Sequence, residues 1–103
     1  MHLISQQGSE RATCDYGKIV TADDKTHVVW QDVTREGSLN RVRSYDHAAN
    51  EWSEPVTLGI GKDNHARAVM TIDHDGYLHV ILGGHGSPVD WRRSTRPHDS
   101  SRW

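Results

Sequence analysis

Apolar residues along this chain fall in short runs. No window of a dozen residues holds them at the 3.6-residue spacing of a helix. The runs are rich in β-branched and aromatic residues and predict strands over 16–22, 26–33 and 39–45. A weak strand is predicted over 54–58, and further strands over 65–72, 77–83 and 90–95. Turn-forming clusters separate them: Asp23-Asp24-Lys25, Asp46 to Asn50, Gly59 to Asn64, Asp73-His74-Asp75-Gly76 and Gly83 to Pro88. Evenly spaced short strands of this kind predict an all-β meander.

The meander repeats. A shift of 52 residues places Asp23 on Asp75, His27 on His79, Val28 on Val80 and Val29 on Ile81. A shift of 51 places His47 on His98 and Trp52 on Trp103, and Ser44 matches Ser94 across a small gap. About fifty residues carrying three or four strands is the size of a β-propeller blade. The expected fold is all-β: a β-propeller fragment of about one and three-quarter blades of antiparallel strands. An N-terminal segment would occupy 1–15, a first blade 16–60 and an incomplete second blade 61–103. Rings close with ~4–8 blades, so the remaining propeller blades are expected to be missing from this chain. A small independent β-sandwich is the alternative.

The repeat sorts the histidines. His27 and His79 recur within strands, which predicts a structural role, satisfying buried backbone groups between blades. His47 and His98 recur in turns and are expected to be solvated, while Trp52 and Trp103 are expected to pack. His65 and His85 do not recur, their counterparts being Thr13 and Val33. Asn64 and Arg67 likewise face Ala12 and Asp15. If Asp73 pairs with Tyr77 in a hairpin, the register sets His65 opposite His85, with Cβ atoms roughly 4.5–5.5 Å apart. Arg67, two residues inward, would share their face. Gly83, Gly84 and Gly86 would let a ligand approach the backbone beside His85. Two imidazoles and a guanidinium suit an anionic ligand. A metal site joined by Asp63 or Cys14, and a merely structural polar cluster, remain open as alternatives.

Composition narrows the function. Among 103 residues, 12 basic and 14 acidic side chains leave a net charge of -2. That supplies no basic field for nucleic acid or an anionic membrane, and neither is expected as a partner. No apolar run approaches the ~18 residues of a membrane span. The sequence Met-His-Leu-Ile-Ser-Gln-Gln-Gly does not read as a signal peptide. A single cysteine, Cys14, excludes an internal disulfide. There are 8 histidines and 4 tryptophans but no phenylalanine, and the last has no explanation in the pattern.

The stretches Cys14-Asp15-Tyr16-Gly17-Lys18-Ile19-Val20, Asn40-Arg41-Val42-Arg43-Ser44-Tyr45-Asp46, Asp63-Asn64-His65-Ala66-Arg67 and Gly83-Gly84-His85 resemble BNR-repeat proteins of the ulvan lyase kind. So do Arg92-Arg93-Ser94-Thr95-Arg96-Pro97 with Asp99 and Trp103. The turn Asp73-His74-Asp75-Gly76 is similar to a degenerate Asp-box. Ala66 and Ala68 stand where Gly and Pro are expected, and Gly86 where a second histidine often follows. The resemblance implies a seven-bladed propeller that cleaves a uronic-acid polysaccharide by β-elimination. It implies that His65 and His85 are the catalytic pair and that Asn64, Arg67 and Arg93 bind an anionic polysaccharide or oligosaccharide. No metal or other cofactor is expected. The family's catalytic tyrosine and further arginine would lie beyond Trp103, so the chain alone is expected to be inactive. The resemblance also implies a secreted or periplasmic protein. A non-catalytic carbohydrate-binding propeller module is the competing function. A sialidase is a more distant one, since its arginine triad and Tyr/Glu nucleophile pair are not displayed.

Overall fold

The computed structural model describes residues 3–8 and 17–103. The matches that rest on Ala12, Thr13, Cys14, Asp15 and Tyr16 lie outside the described residues. Every regular element among the described residues is a strand: β1 (Ile19–Ala22), β2 (Lys25–Thr34), β3 (Gly37–Asp46), β4 (Glu51–Trp52), β5 (Val56–Gly61), β6 (Val69–Ile72), β7 (Leu78–Gly83) and β8 (Val89–Arg93). They form two antiparallel sheets. The first runs β1-β2-β3, and both β4 and β5 then pair with the far side of β3. The second runs β6-β7-β8.

Short turns make each meander. Asp23 and Asp24 both take positive φ, 50° and 59°, which is the backbone of a two-residue turn matched to strand twist. Asp73 organises the β6–β7 turn: its carboxylate accepts the amides of Asp75 (3.0 Å) and Tyr77 (2.9 Å). The other carboxylate oxygen meets His79 Nε2 at 2.7 Å. The His79 hydrogen bond, then these amides, hold the Asp73 carboxyl below the usual carboxylate range. The hairpin register is the expected one, with Ile72 opposite Leu78 and Val69 opposite Ile81.

The two sheets pack face to face. Val29, Val42 and Leu58 from the first meet Met70, Leu78, Val80 and Leu82 from the second. Alternation turns His27, Val29 and Gln31 of β2 toward the second sheet. Val28 and Trp30 point the other way, onto Ile4 and Trp52. The same alternation in β7 sends Leu78, Val80 and Leu82 into the core and His79 and Ile81 outward. Val29 is 0% exposed, whereas Ile81, its counterpart in the repeat, is 48% exposed. Ile81 lines an open apolar trough of about 670 Å³ with Val69, Met70, His79 and Trp91.

Several expected boundaries move. The strand predicted over 65–72 starts only at Val69, and the weak strand over 54–58 becomes Val56–Gly61. Gly59 and Gly61 therefore belong to a strand and not to a turn. A Cβ on Gly59 would stand 2.6 Å from Leu82 Cδ1, so glycine here admits the neighbouring sheet.

The recurring histidines also differ from expectation. His27 is fully enclosed, but its partner is a hydroxyl rather than a backbone group. Its Nδ1 lies 2.6 Å from Ser44 Oγ, which lies 2.6 Å from Ser100 Oγ. Burial, then the nearby His98 and Lys25, lower its pKa to about 4, against an opposing pull from Asp99. His79 is half-buried and stacks on Trp91 at 5.7 Å. His47 is exposed, as expected. His98 is not simply solvated: its amide donates to Gly76 at 2.8 Å and its ring fills the space beside that glycine. Trp52 and Trp103 do pack, Trp52 against Val28 and Trp30 and Trp103 against the inter-sheet core.

Candidate functional site

His65 and His85 are brought together. Their ring centroids are 4.8 Å apart with planes inclined by 34°. Neither belongs to a paired strand. His65 sits in the turn that follows β5, and His85 in the glycine loop that follows β7. The meeting is made by the two loops rather than by the hairpin ladder, although both point to the same end of that hairpin.

Buried polar groups of the first sheet fix the His65 loop. Asn40 Nδ2 donates to the Ala66 carbonyl at 2.9 Å, and Asn40 Oδ1 accepts the Ala68 amide at 2.9 Å. Gln31 Nε2 reaches the carbonyls of Asp63 (3.2 Å) and Ala66 (3.3 Å). Lys18 Nζ donates to the Ala68 carbonyl. Ala66 and Ala68 are buried, and Gly61 lies so close that a Cβ there would stand 2.9 Å from the Ala66 carbonyl oxygen. The other loop depends on backbone conformation. Gly83, Gly84 and Gly86 have φ of 85°, 85° and 66°, and a Cβ on Gly83 would come within 2.4 Å of the Pro88 carbonyl oxygen. These glycines are demanded by the loop's own shape, a stronger reason than ligand approach. Lys62 Nζ donates to the Gly86 carbonyl at 3.3 Å and so ties the two loops together.

One carboxylate lies between the imidazoles. Asp63 Oδ1 is 3.3 Å from His65 Nδ1, and Asp63 Oδ2 is 3.2 Å from His85 Nδ1. Asp63 Oδ1 also accepts the His65 amide at 2.8 Å. That amide first, then the two imidazoles, hold the Asp63 carboxyl below its ordinary range. The group is open to solvent: the side chains of His65 and His85 are 45% and 57% exposed. Asp63, His65 and His85 are also the one set among the described residues with three donor atoms close enough to share a metal ion, all within 4.8 Å.

The remaining expected site residues are dispersed. Asn64 is half-buried in the same turn as His65. Arg67 is half-buried, and its amide donates to the His65 carbonyl at 2.9 Å. It lies in a turn, so strand alternation does not set its direction. Arg93 is not brought to the pair. It sits opposite His79 in the β7–β8 ladder with its guanidinium 4.6 Å over the Tyr77 ring. That is four ladder positions, roughly 13 Å, from the Gly83 end of the sheet. Tyr77 shares that far end. Lys62 was not among the expected site residues, and Asp63 was expected only as a possible metal ligand. An aspartate two positions before a histidine is the signature of a side chain that caps its own turn, and that signal was present for Asp63.

Two facing meanders with a loop-borne histidine pair at one end define an all-β repeat protein. The comparisons with known proteins agree. The family model for BNR repeat-containing family members matches residues 20–103, and the chain belongs to that family. It is 30% identical to the ulvan lyase PL25 of Pseudoalteromonas sp. (strain PLSV), over 60% of this chain and 18% of that protein. It is 38% identical to the ulvan lyase of Nonlabens ulvanivorans, over 60% of this chain and 19% of that protein. A third ulvan lyase, from Alteromonas sp. (strain LOR), is 38% identical over 44% of this chain and 11% of its own length. The chain thus spans less than a fifth of the length of the curated relatives it matches.

Proposed function

We propose that this chain is part of a β-propeller polysaccharide lyase that cleaves an anionic, uronate-containing polymer by β-elimination. The observation that carries the reading is the His65–His85 pair, held by two loops at one end of the second sheet, in a chain related to ulvan lyases. In this reaction a base takes the C5 proton of the uronate. The electron pair forms the C4–C5 double bond, the C4–O bond breaks, and the leaving oxygen takes up a proton. A neutral imidazole suits the first step, because its unperturbed pKa of about 6.5 sits near working pH. The C5 proton is weakly acidic beside a carboxylate, so a cation or a hydrogen-bond donor must stabilise that group as enediolate charge develops. Arg67, Asn64 or a protonated histidine takes this part, and Lys62 stands next to them. A polymer of this kind is met outside the cell, which supports an exported protein.

The repeat supports the propeller. The outward face of the second sheet, with His79 and Ile81, corresponds to the face of the first sheet that the second one covers. That correspondence supports a third such sheet there.

The test is His65→Ala in the full-length protein that carries this chain, assayed by the absorbance of unsaturated uronate product. Loss of turnover with retained folding is expected, and unchanged turnover would sink the proposal. A non-catalytic sugar-binding module is the second reading. Its ground is narrow: Tyr77 lies under Arg93 at the far end of the second sheet, so that sheet does not itself bring a leaving-group acid to the pair. That reading expects oligosaccharide binding without cleavage.

A further inference from the structure

We infer that Asp63 is a positioning residue that locks both imidazoles of the pair in one tautomer, with the proton on Nδ1 and the Nε2 lone pair turned away from the carboxylate. An ionised carboxylate only accepts hydrogen bonds. Each of its oxygens faces the Nδ1 of a different ring, at 3.3 Å for His65 and 3.2 Å for His85. This places both Nδ1 atoms to donate, His85 within a hydrogen bond and His65 at ion-pair distance. A neutral imidazole has one donor and one acceptor nitrogen, so Nε2 is the acceptor in each ring. Free imidazole side chains favour the opposite tautomer, and a single group here reverses the preference of two rings at once.

The carboxylate is itself well held. The His65 amide donates to Oδ1 at 2.8 Å, and the Gln31 amide reaches the Asp63 carbonyl at 3.2 Å. Asp63 thus orients both rings from a turn tied to the first sheet. Two consequences follow for a reacting sugar. Both basic lone pairs are presented on the side away from Asp63. When one ring takes a proton on Nε2, the same carboxylate stabilises the resulting cation. One ring is then suited to accept a proton while its protonated neighbour meets the substrate's negative charge. Only this last step rests on the lyase reading; the tautomers do not.

The experiment is long-range proton–nitrogen correlation NMR on the chain with labelled histidine, at a pH where both rings are neutral. For His65 and His85, Nδ1 is expected at the pyrrole-type position and Nε2 at the pyridine-type position. Asp63→Asn keeps an oxygen to accept the His65 amide but removes the second acceptor. In that variant at least one ring is expected to revert to the Nε2–H tautomer. A wild-type spectrum with Nε2–H in either ring overturns the inference without any variant. An Asp63→Asn spectrum that matches wild type overturns it too, because a turn-capping role alone survives that substitution. In the full-length protein the same variant is expected to lower kcat about 10- to 100-fold with KM little changed. Failure of that arm alone bears on the lyase reading, since the NMR result does not depend on activity.

Discussion

Asn40 and Ala66 join the first sheet to the histidine loop: Asn40 Nδ2 donates to the Ala66 carbonyl at 2.9 Å, in a fully buried setting. The same side chain accepts the Ala68 amide. Replacing Asn40 by Ala strands the buried Ala68 amide and leaves the Ala66 carbonyl only the longer bond from Gln31. The expected cost is about 2–4 kcal/mol, read as a lower urea midpoint at unchanged slope. The His65 ring resonances should also move, because the loop loses its anchor. Asn40→Asp keeps the acceptor but buries a charge against the Ala66 carbonyl, so its cost should be no smaller.

His27 gives the fold an acid-sensitive point. Its pKa in the folded chain is about 4, below the 6.5 of an ordinary histidine. As pH falls through that window, the unfolded chain binds a proton that the folded chain refuses. The contribution is therefore intact above about pH 6.5 and is lost progressively down to about pH 4, by up to roughly 3 kcal/mol. His27→Gln can still bond Ser44 but does not titrate. Urea midpoints near pH 7 and near pH 4.5 should fall more for the wild type than for this variant.

Gly83 tests the loop that carries His85. An alanine there would have to keep φ near 85° with its Cβ within 2.4 Å of the Pro88 carbonyl oxygen. A destabilisation of about 1–3 kcal/mol and a displaced His85 ring are expected. Thermal unfolding gives the first, and loss of ring-to-ring nuclear Overhauser contacts between His65 and His85 gives the second.

Val29 and Ile81 occupy equivalent places in the repeat but unequal surroundings. Val29→Ala should cost about 2 kcal/mol, since it empties part of the inter-sheet core. Ile81→Ser should change stability by no more than about 0.5 kcal/mol, because the side chain is half in water. It should nevertheless reduce self-association in sedimentation velocity, given the apolar trough that Ile81 and Trp91 share.

Much of the hairpin geometry was legible in the sequence. Alternation of period two and an Asp-Gly turn fix the register of β6 and β7, and with it the convergence of His65 and His85 on one end. The start of β6 was not legible. Residues 65–69 do alternate, with Ala66 and Ala68 buried. That is the signature of a strand, yet their backbone groups bond to Asn40 and Gln31 side chains instead of a ladder. A local pattern cannot tell these partners apart. Gly59 and Gly61 failed in the opposite sense. Glycine reads as a turn locally, and only the approach of Leu82 and the Ala66 carbonyl explains it inside a strand. The bridging role of Asp63 needed both loops in place and was invisible from either alone. The dispersal of Arg93 required the β8 register.

The hydroxyl chain from His27 through Ser44 to Ser100 sets an order of events during synthesis. The first sheet has all its strands once Gly61 has been made, but the serine that completes its buried chain comes roughly 40 residues later. At ~5–20 residues per second this is a delay of about 2–8 s. Throughout that interval the newborn sheet holds an enclosed-to-be imidazole still open to water. The first sheet thus waits for the last residues after the second before it is sealed, and it matures behind the ribosome one step late.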